Sequence, residues 1–237
     1  MSRSSNEPIH LEKNLEMNIE IIKKTLGNSA DLIIRKSSIG KIENQFAMMY
    51  LKGLIDEDQV NNNILRILEL NKKDITKNLL DAVYDEMIAL TEIKKSPQLD
   101  AIIKALLNGD TAVLLSDENE AILLGTSGGE VRSIQEPQSE SVIRGSRSGF
   151  VENLKFNLAL LRRELKNPNL RIDFMEIGKD SNQKMAICYI EGHAKPEIVD
   201  EVVRRLKTVD IDFTPDSGFV EQWIEDSNLS PFPQILD

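Results

Sequence analysis

In "SVIRGSRSGFVENLKFNLALLRR", residues 141–163, glycines and arginines stand directly ahead of a strongly periodic stretch. Arg144, Gly145, Arg147, Gly149 and Phe150 are the residues whose types and spacing could do chemistry. Backbone amides at a helix start, glycines that permit close approach and nearby guanidinium groups are the parts of an anion or phosphate site. The competing reading is a structural and coupling turn. In it, Gly145 and Gly149 let the chain reverse from the extended "ESVI" into a helix beginning near Phe150. The Phe150 ring then anchors the helix start, and Arg144 or Arg147 bridges to carboxylates or carbonyls of a neighbouring layer. The spacing Gly145-x-x-x-Gly149 is neither a Walker loop nor a dinucleotide fingerprint, so the turn is the reading adopted.

The remaining reactive side chains point the same way. The chain has two histidines, His10 and His193, and one cysteine, Cys188, too few for a histidine/cysteine metal cluster. Cys188 sits in the apolar run "MAICYI" and reads as a small buried strand residue. The three glycines of "GTSGGEVR" read as a turn, and the pair Arg162–Arg163 as a solvated helix face near a negative helix end. The expectation is a protein that is not an enzyme, with no catalytic residues, no cofactor and no metal. A net charge of −10 argues against nucleic acid as a partner. "MSRSSNEPIHLEKN" lacks the apolar stretch of a leader, and no run approaches the roughly 18 apolar residues of a membrane span. The chain reads as soluble.

The elements that must position that loop come in two copies. Shifted by 139 residues without gaps, 12–67 lies over 151–206 with 11 identities in 56 positions, including Asn14/Asn153, Asn18/Asn157, Asn28/Asn167, Ile33/Ile172 and Gly53/Gly192. Composition alone gives roughly 3 or 4. Each copy opens with an amphipathic helix in one register: Leu15, Ile19, Ile22, Leu26 and Leu154, Leu158, Leu161, Leu165. Those second-copy leucines are expected to be largely buried. Two β-rich runs follow ("DLIIRK", "QFAMMYLKG"; "LRIDFMEI", "KMAICYIEG"), each pair closed by a glycine, and then a second helix. The match resumes at a shift of 118, "TEIKKSP" over "VDIDFTP", so the first copy carries a 21-residue insertion that reads as an additional helix.

Between the copies, "TAVLLSDENEAILLGTSGGEVRSI" reads as a hairpin or meander with turns at 117–119 and 127–129. The predicted fold class is α+β: two small α/β subdomains related by an internal helix-strand-strand-helix-strand-helix repeat, joined by that hairpin, with helices on one face of short antiparallel sheets. The expected domains are 1–109 and 110–237, with the boundary inside 109–148.

Several blocks together carry a family resemblance. "EPQSESVIRGSRSGFVENLKFNLALLRRELKNPNLRIDF", "LLNGDTAVLL", "ICYIEGHAKPEIVDEVVRRL" and "IEDSNLSPFPQ" resemble, in order, the GerA family of spore-germination receptor A subunits, most clearly from about residue 100 onward. The family loop usually reads Gly-Pro-Arg-Glu-Gly-Phe. Here serines replace the proline and the glutamate, so Arg144, Gly145, Arg147, Gly149 and Phe150 are what carries over.

The resemblance implies the amino-terminal part of a nutrient receptor in the spore inner membrane. It implies that this part lies on the cytoplasmic (core) side and that membrane-spanning helices follow the "SPFPQ" block. It further implies partnership with a transporter-like B subunit and a lipoprotein C subunit, and oligomerisation of the A subunit. The element order is also that of ring-building modules in secretion and sporulation complexes, an analogy of fold alone. Two functions follow as expectations: assembly and coupling of nutrient sensing to ion release, or a ligand-binding module holding a small molecule between the two subdomains.

Overall fold

The structure, a computed structural model, describes residues 8–38, 45–69, 78–88, 92–128, 149–178, 182–209 and 217–225. The chain divides into two compact units, Met1–Pro168 and Asn169–Asp237. The first contains α1 (Leu15–Thr25), β1 (Leu32–Ser38), β2 (Gln45–Leu51), α2 (Glu57–Glu69), α3 (Leu79–Met87), β3 (Ile93–Ser96), α4 (Leu99–Asn108), β4 (Thr111–Leu115), β5 (Ala121–Leu124) and α5 (Leu154–Glu164). The second contains β6 (Leu170–Ile177), β7 (Gln183–Ile190), α6 (Pro196–Lys207) and α7 (Ser217–Ile224).

The α+β class holds, with antiparallel sheets. In the first unit five strands run in the order β1-β2-β4-β5-β3. Strand parity splits its core in two. Ala47, Met49, Leu51, Ala112, Leu114, Ala121 and Leu123 face Leu15, Ile19 and Ile22 of α1 and Ile102, Ile103 and Leu106 of α4. Phe46, Met48, Tyr50, Val113, Leu115, Ile122 and Leu124 face Val60 of α2 and Leu80, Val83 and Met87 of α3. Helices therefore cover both faces of this sheet, where one face was expected. The inserted helix α3 supplies much of the second cover, which is why β4 and β5 are buried at every position.

The hairpin β4–β5 does not join two subdomains. Its strands pair with β2 on one side and β3 on the other, in the middle of the first unit's sheet. The division at Pro168 accordingly falls outside the expected 109–148 window, and α5, by sequence the first helix of the second copy, belongs to the first unit.

The helix–strand–strand–helix order recurs as expected. Leu15 and Leu154 begin the first helices, Leu51 and Ile190 end the second strands, and Glu57 and Pro196 begin the second helices, each at a separation of 139. Gly53 and Gly192 follow those strands at φ +88° and +84°. Inside the hairpins the correspondence slips by one residue. Leu32 pairs with Leu51 and Leu170 with Ile190, so the first strand is displaced by 138 and the second by 139. Ile33 and Ile172 are therefore not equivalent, and the turn before the strand is one residue shorter in the second copy. Asn28 also has no counterpart in conformation: its φ is +53°, while Asn167 is not left-handed. The α7 start at Ser217 lies 118 residues after that of α4 at Leu99, as the second shift requires. The strand expected over 209–215 lies outside the described residues beyond Val209.

Candidate functional site

Arg144, Gly145 and Arg147 lie outside the described residues; Gly149 and Phe150 are within them. Phe150 is 67% exposed, and α5 begins four residues later, at Leu154. The ring thus does not anchor the helix start. Two asparagines do. Asn153 caps the helix, its Oδ1 accepting from Lys155 N at 3.0 Å. Asn157 reaches back to the entering chain: its Oδ1 accepts from Val151 N at 2.8 Å and its Nδ2 donates to Val151 O at 2.7 Å.

The first copy contains the same clamp. Asn18 accepts from Glu12 N at 2.9 Å and donates to Glu12 O at 2.6 Å, and Asn14 caps α1. Two of the sequence identities, Asn14/Asn153 and Asn18/Asn157, therefore fix how the chain enters each helix. Asn18 is buried whereas Asn157 is half-buried. Asn18→Ala should accordingly cost about 1–3 kcal/mol and Asn157→Ala about 1 kcal/mol or less. Urea unfolding of the two variants checks the order of the losses.

The helix that this clamp orients is fastened by a face the apolar pattern did not mark. Positions 155, 159, 162 and 163 lie at helical spacing along it, and 166 follows just past its end. Gly53 sits beneath: a Cβ built there would lie 3.1 Å from Ala159 Cβ and 3.7 Å from the Lys155 carbonyl. Arg163 Nη2 donates to Gly128 O at 2.7 Å, and Lys166 Nζ to Asn108 Oδ1 at 3.0 Å.

Between these contacts lies the most unusual group of the first unit. Arg162 is 1% exposed. Its Nε donates to Asp31 Oδ2 at 2.7 Å, and its Nη2 to Asp31 Oδ1 at 2.9 Å and to Ser29 Oγ at 2.8 Å. Ser29 Oγ donates to Asp31 Oδ1 at 2.7 Å. A planar guanidinium on both oxygens of one carboxylate is the geometry that makes such a pair both strong and directional. Nη1 is buried without a hydrogen-bond partner among the described residues.

The expected solvated face for Arg162–Arg163 is thus corrected: Arg162 is buried and Arg163 half-buried. So is the expected burial of the leucine stripe. Leu158 is buried, Leu154 and Leu161 are half-buried, and Leu165 is 38% exposed. Strand pairing shows what sets the pair apart: the turn before β1 is one residue longer than its counterpart, and that longer turn, Ser29-Ala30-Asp31, is where the acceptors stand.

This arrangement binds and positions. The guanidinium is engaged by a carboxylate of its own chain. His10 forms a bridge with Gln98, and His193 lies in the exposed turn after β7. Cys188 is exposed on β7, because its side of that strand is less covered than the apolar run suggested. Burial, helped by the charge of Glu92, pushes the Asp110 carboxyl up, and Arg204 and Arg205 hold Glu201 of α6 down at about 2. These are isolated surface or edge groups in different units. Among the described residues no group of three His, Cys, Asp or Glu side chains could hold a metal ion, and no helix is long and apolar enough to cross a membrane.

Comparison with known proteins gives this geometry a setting. The family model described as Bacillus/Clostridium GerA spore germination protein matches residues 20–237. The chain is 35% identical over 229 residues to spore germination protein GerLA of Bacillus cereus, covering 97% of this chain and 46% of that protein. It is 32% identical over 234 residues to spore germination protein KA of Bacillus subtilis, covering 98% and 43% respectively. The chain thus spans slightly less than half the length of these relatives. Among solved structures, it is similar to the crystal structure of the N-terminal domain of the A subunit of the Bacillus megaterium spore germinant receptor GerK3. The TM-score is 0.73 at 27% identity, over 96% of this chain and 84% of that one.

Proposed function

The chain belongs to the GerA family, and from that premise we propose that it is the amino-terminal domain of a germinant-receptor A subunit, acting in receptor assembly and in coupling nutrient sensing to germination. The work it does is mechanical, without catalysis. The receptor's B and C subunits are its partners, the remaining half of the subunit attaches it to the spore inner membrane, and it faces the core.

One observation carries the coupling role: the first helix of the second repeat is fastened to the first unit by a buried ion pair. A helix placed in that way converts a displacement on one side of the Pro168 division into a load on the other. The loop ahead of it supplies a contact point. Phe150 projects into solvent from a backbone that Asn157 holds at the next residue, the arrangement of an aromatic awaiting a partner surface. Arg144, Gly145, Arg147 and Gly149 complete this coupling loop.

The test uses spores and the isolated chain together. Arg147→Ala, at matched receptor levels, is expected to slow nutrient-triggered germination while leaving the melting temperature of the chain unchanged. Germination at the unsubstituted rate would remove the loop from coupling. Calorimetric titration of the chain with amino acids, sugars and nucleosides is expected to give no heat. Saturable micromolar binding would replace coupling with a ligand-binding module.

A further inference from the structure

We infer that the Arg162–Asp31–Ser29 cluster is a latch: α5 leaves the first unit as one piece when this cluster opens, before the sheet beneath it unfolds.

The argument starts from two helices built alike and held differently. α1 and α5 share length, register, cap and asparagine clamp. All four stripe residues of α1 lie in the core, the least covered being Leu15 at 6%. In α5 only Leu158 of the corresponding four is buried. Apolar burial holds α1. What holds α5 is mostly polar: one ion pair and the Arg163 and Lys166 side-chain bonds, beside the buried Leu158 and the close approach of Ala159 to Gly53. A helix of 11 residues does not persist in water without tertiary contacts. Elements with little buried apolar contact form the low-stability end of a protein's opening spectrum.

Neither half of the latch is inherited from the repeat. The α1 residue equivalent to Arg162 is Lys23, which pairs with Glu20 on the surface. The turn equivalent to Ser29-Ala30-Asp31 is one residue shorter and contains Pro168 and Asn169. The pair is therefore specific to this one dock.

The pair also makes the dock shallow. Both charges leave water to form it, and Nη1 stays buried with no acceptor among the described residues. Opening rehydrates both charged groups, Nη1 included, which offsets much of the ion-pair attraction. Breaking the pair inside the docked state, by contrast, strands a charge. The result is an element that is either docked with its pair intact or released, with little between. Leu165–Pro168 is all that separates α5 from the second unit, so release adds the eleven residues of the helix to that short tether.

The experiment is hydrogen exchange on residues 1–237, unsubstituted and as Asp31→Asn, Arg162→Met and Asp31→Leu/Arg162→Met. In the unsubstituted chain, amides of α5 should exchange at least about tenfold faster than the corresponding amides of α1. Asp31→Asn and Arg162→Met should each speed exchange in α5 by about 100-fold or more, while α1, β2 and β4 stay within about threefold. The paired apolar replacement should restore slow exchange, because it removes both desolvated charges. Equal acceleration throughout the first unit, or none in α5, would overturn the latch. A second arm rests on the coupling reading: the paired replacement, with α5 held docked, should slow germination in spores at matched receptor levels. Unchanged germination with the exchange result intact would keep the latch and discard the coupling.

Discussion

Truncating Phe46 to alanine should lower the unfolding free energy of the first unit by about 3–5 kcal/mol. The ring is 1% exposed near the start of β2, in the cluster that packs against α2 and α3. It stands opposite Leu115 in the neighbouring strand, with Met48 two residues along the same face. A cavity left there cannot open to water from the far side, because the other face of the sheet is filled by α1 and α4. Relaxation is therefore limited, and the loss falls toward the upper part of the range for aromatic truncation. Leu165→Ala is the control. At 38% exposure that side chain has little burial to lose, so the change should stay within about 0.5–1 kcal/mol. Urea unfolding followed by circular dichroism checks both. A loss below about 1 kcal/mol for Phe46→Ala would mean that the α2–α3 layer does not pack on the sheet.

That two-sided cover shows where sequence reading stops. Helix starts and strand ends repeat at the expected separation because local signals set them: asparagine caps, amphipathic stripes and a left-handed glycine after each hairpin. Which strands become neighbours depends on distant pairing, and period alone does not specify it. "TAVLL" and "AILL" look like a connector because they follow a complete repeat, yet they fill the centre of the sheet. Their lack of polar alternation was the available sign, since strands covered on both faces read as continuous apolar runs.

Arg162 was hidden for a different reason. A basic pair at the end of a helix already has a sufficient explanation in the helix dipole, and the partner lies 131 residues away. Before Gly149, the turn expected ahead of α5 lies outside the described residues, and the anchoring assigned to the Phe150 ring belongs to Asn157.

Valine at Gly53 and valine at Gly192 form a comparison that the repeat itself provides. Both glycines have positive φ, +88° and +84°, where an L-residue costs about 1–2 kcal/mol and a β-branched one the upper part of that. Their surroundings differ. A Cβ on Gly53 would stand 3.1 Å from Ala159 Cβ, so the branches of a valine must displace α5. A Cβ on Gly192 meets no atom of the described residues within 4 Å. Gly192→Val should therefore cost the backbone strain alone, about 1–2 kcal/mol. Gly53→Val should cost about 2–5 kcal/mol, the excess being the overpacking of α5 against the turn.

Trp223, the single tryptophan, lies in the second unit and reports its unfolding by fluorescence, while circular dichroism with hydrogen exchange follows the first. The excess cannot exceed the free energy that docks α5, because a helix pushed too hard simply leaves. With Asp31→Asn in the background the dock is weakened, and the difference between the two glycine variants should shrink. Equal losses at both glycines in the unsubstituted chain would show that α5 does not press on the Gly53 turn. A difference that persists undiminished with Asp31→Asn would show that the ion pair does not hold α5 there.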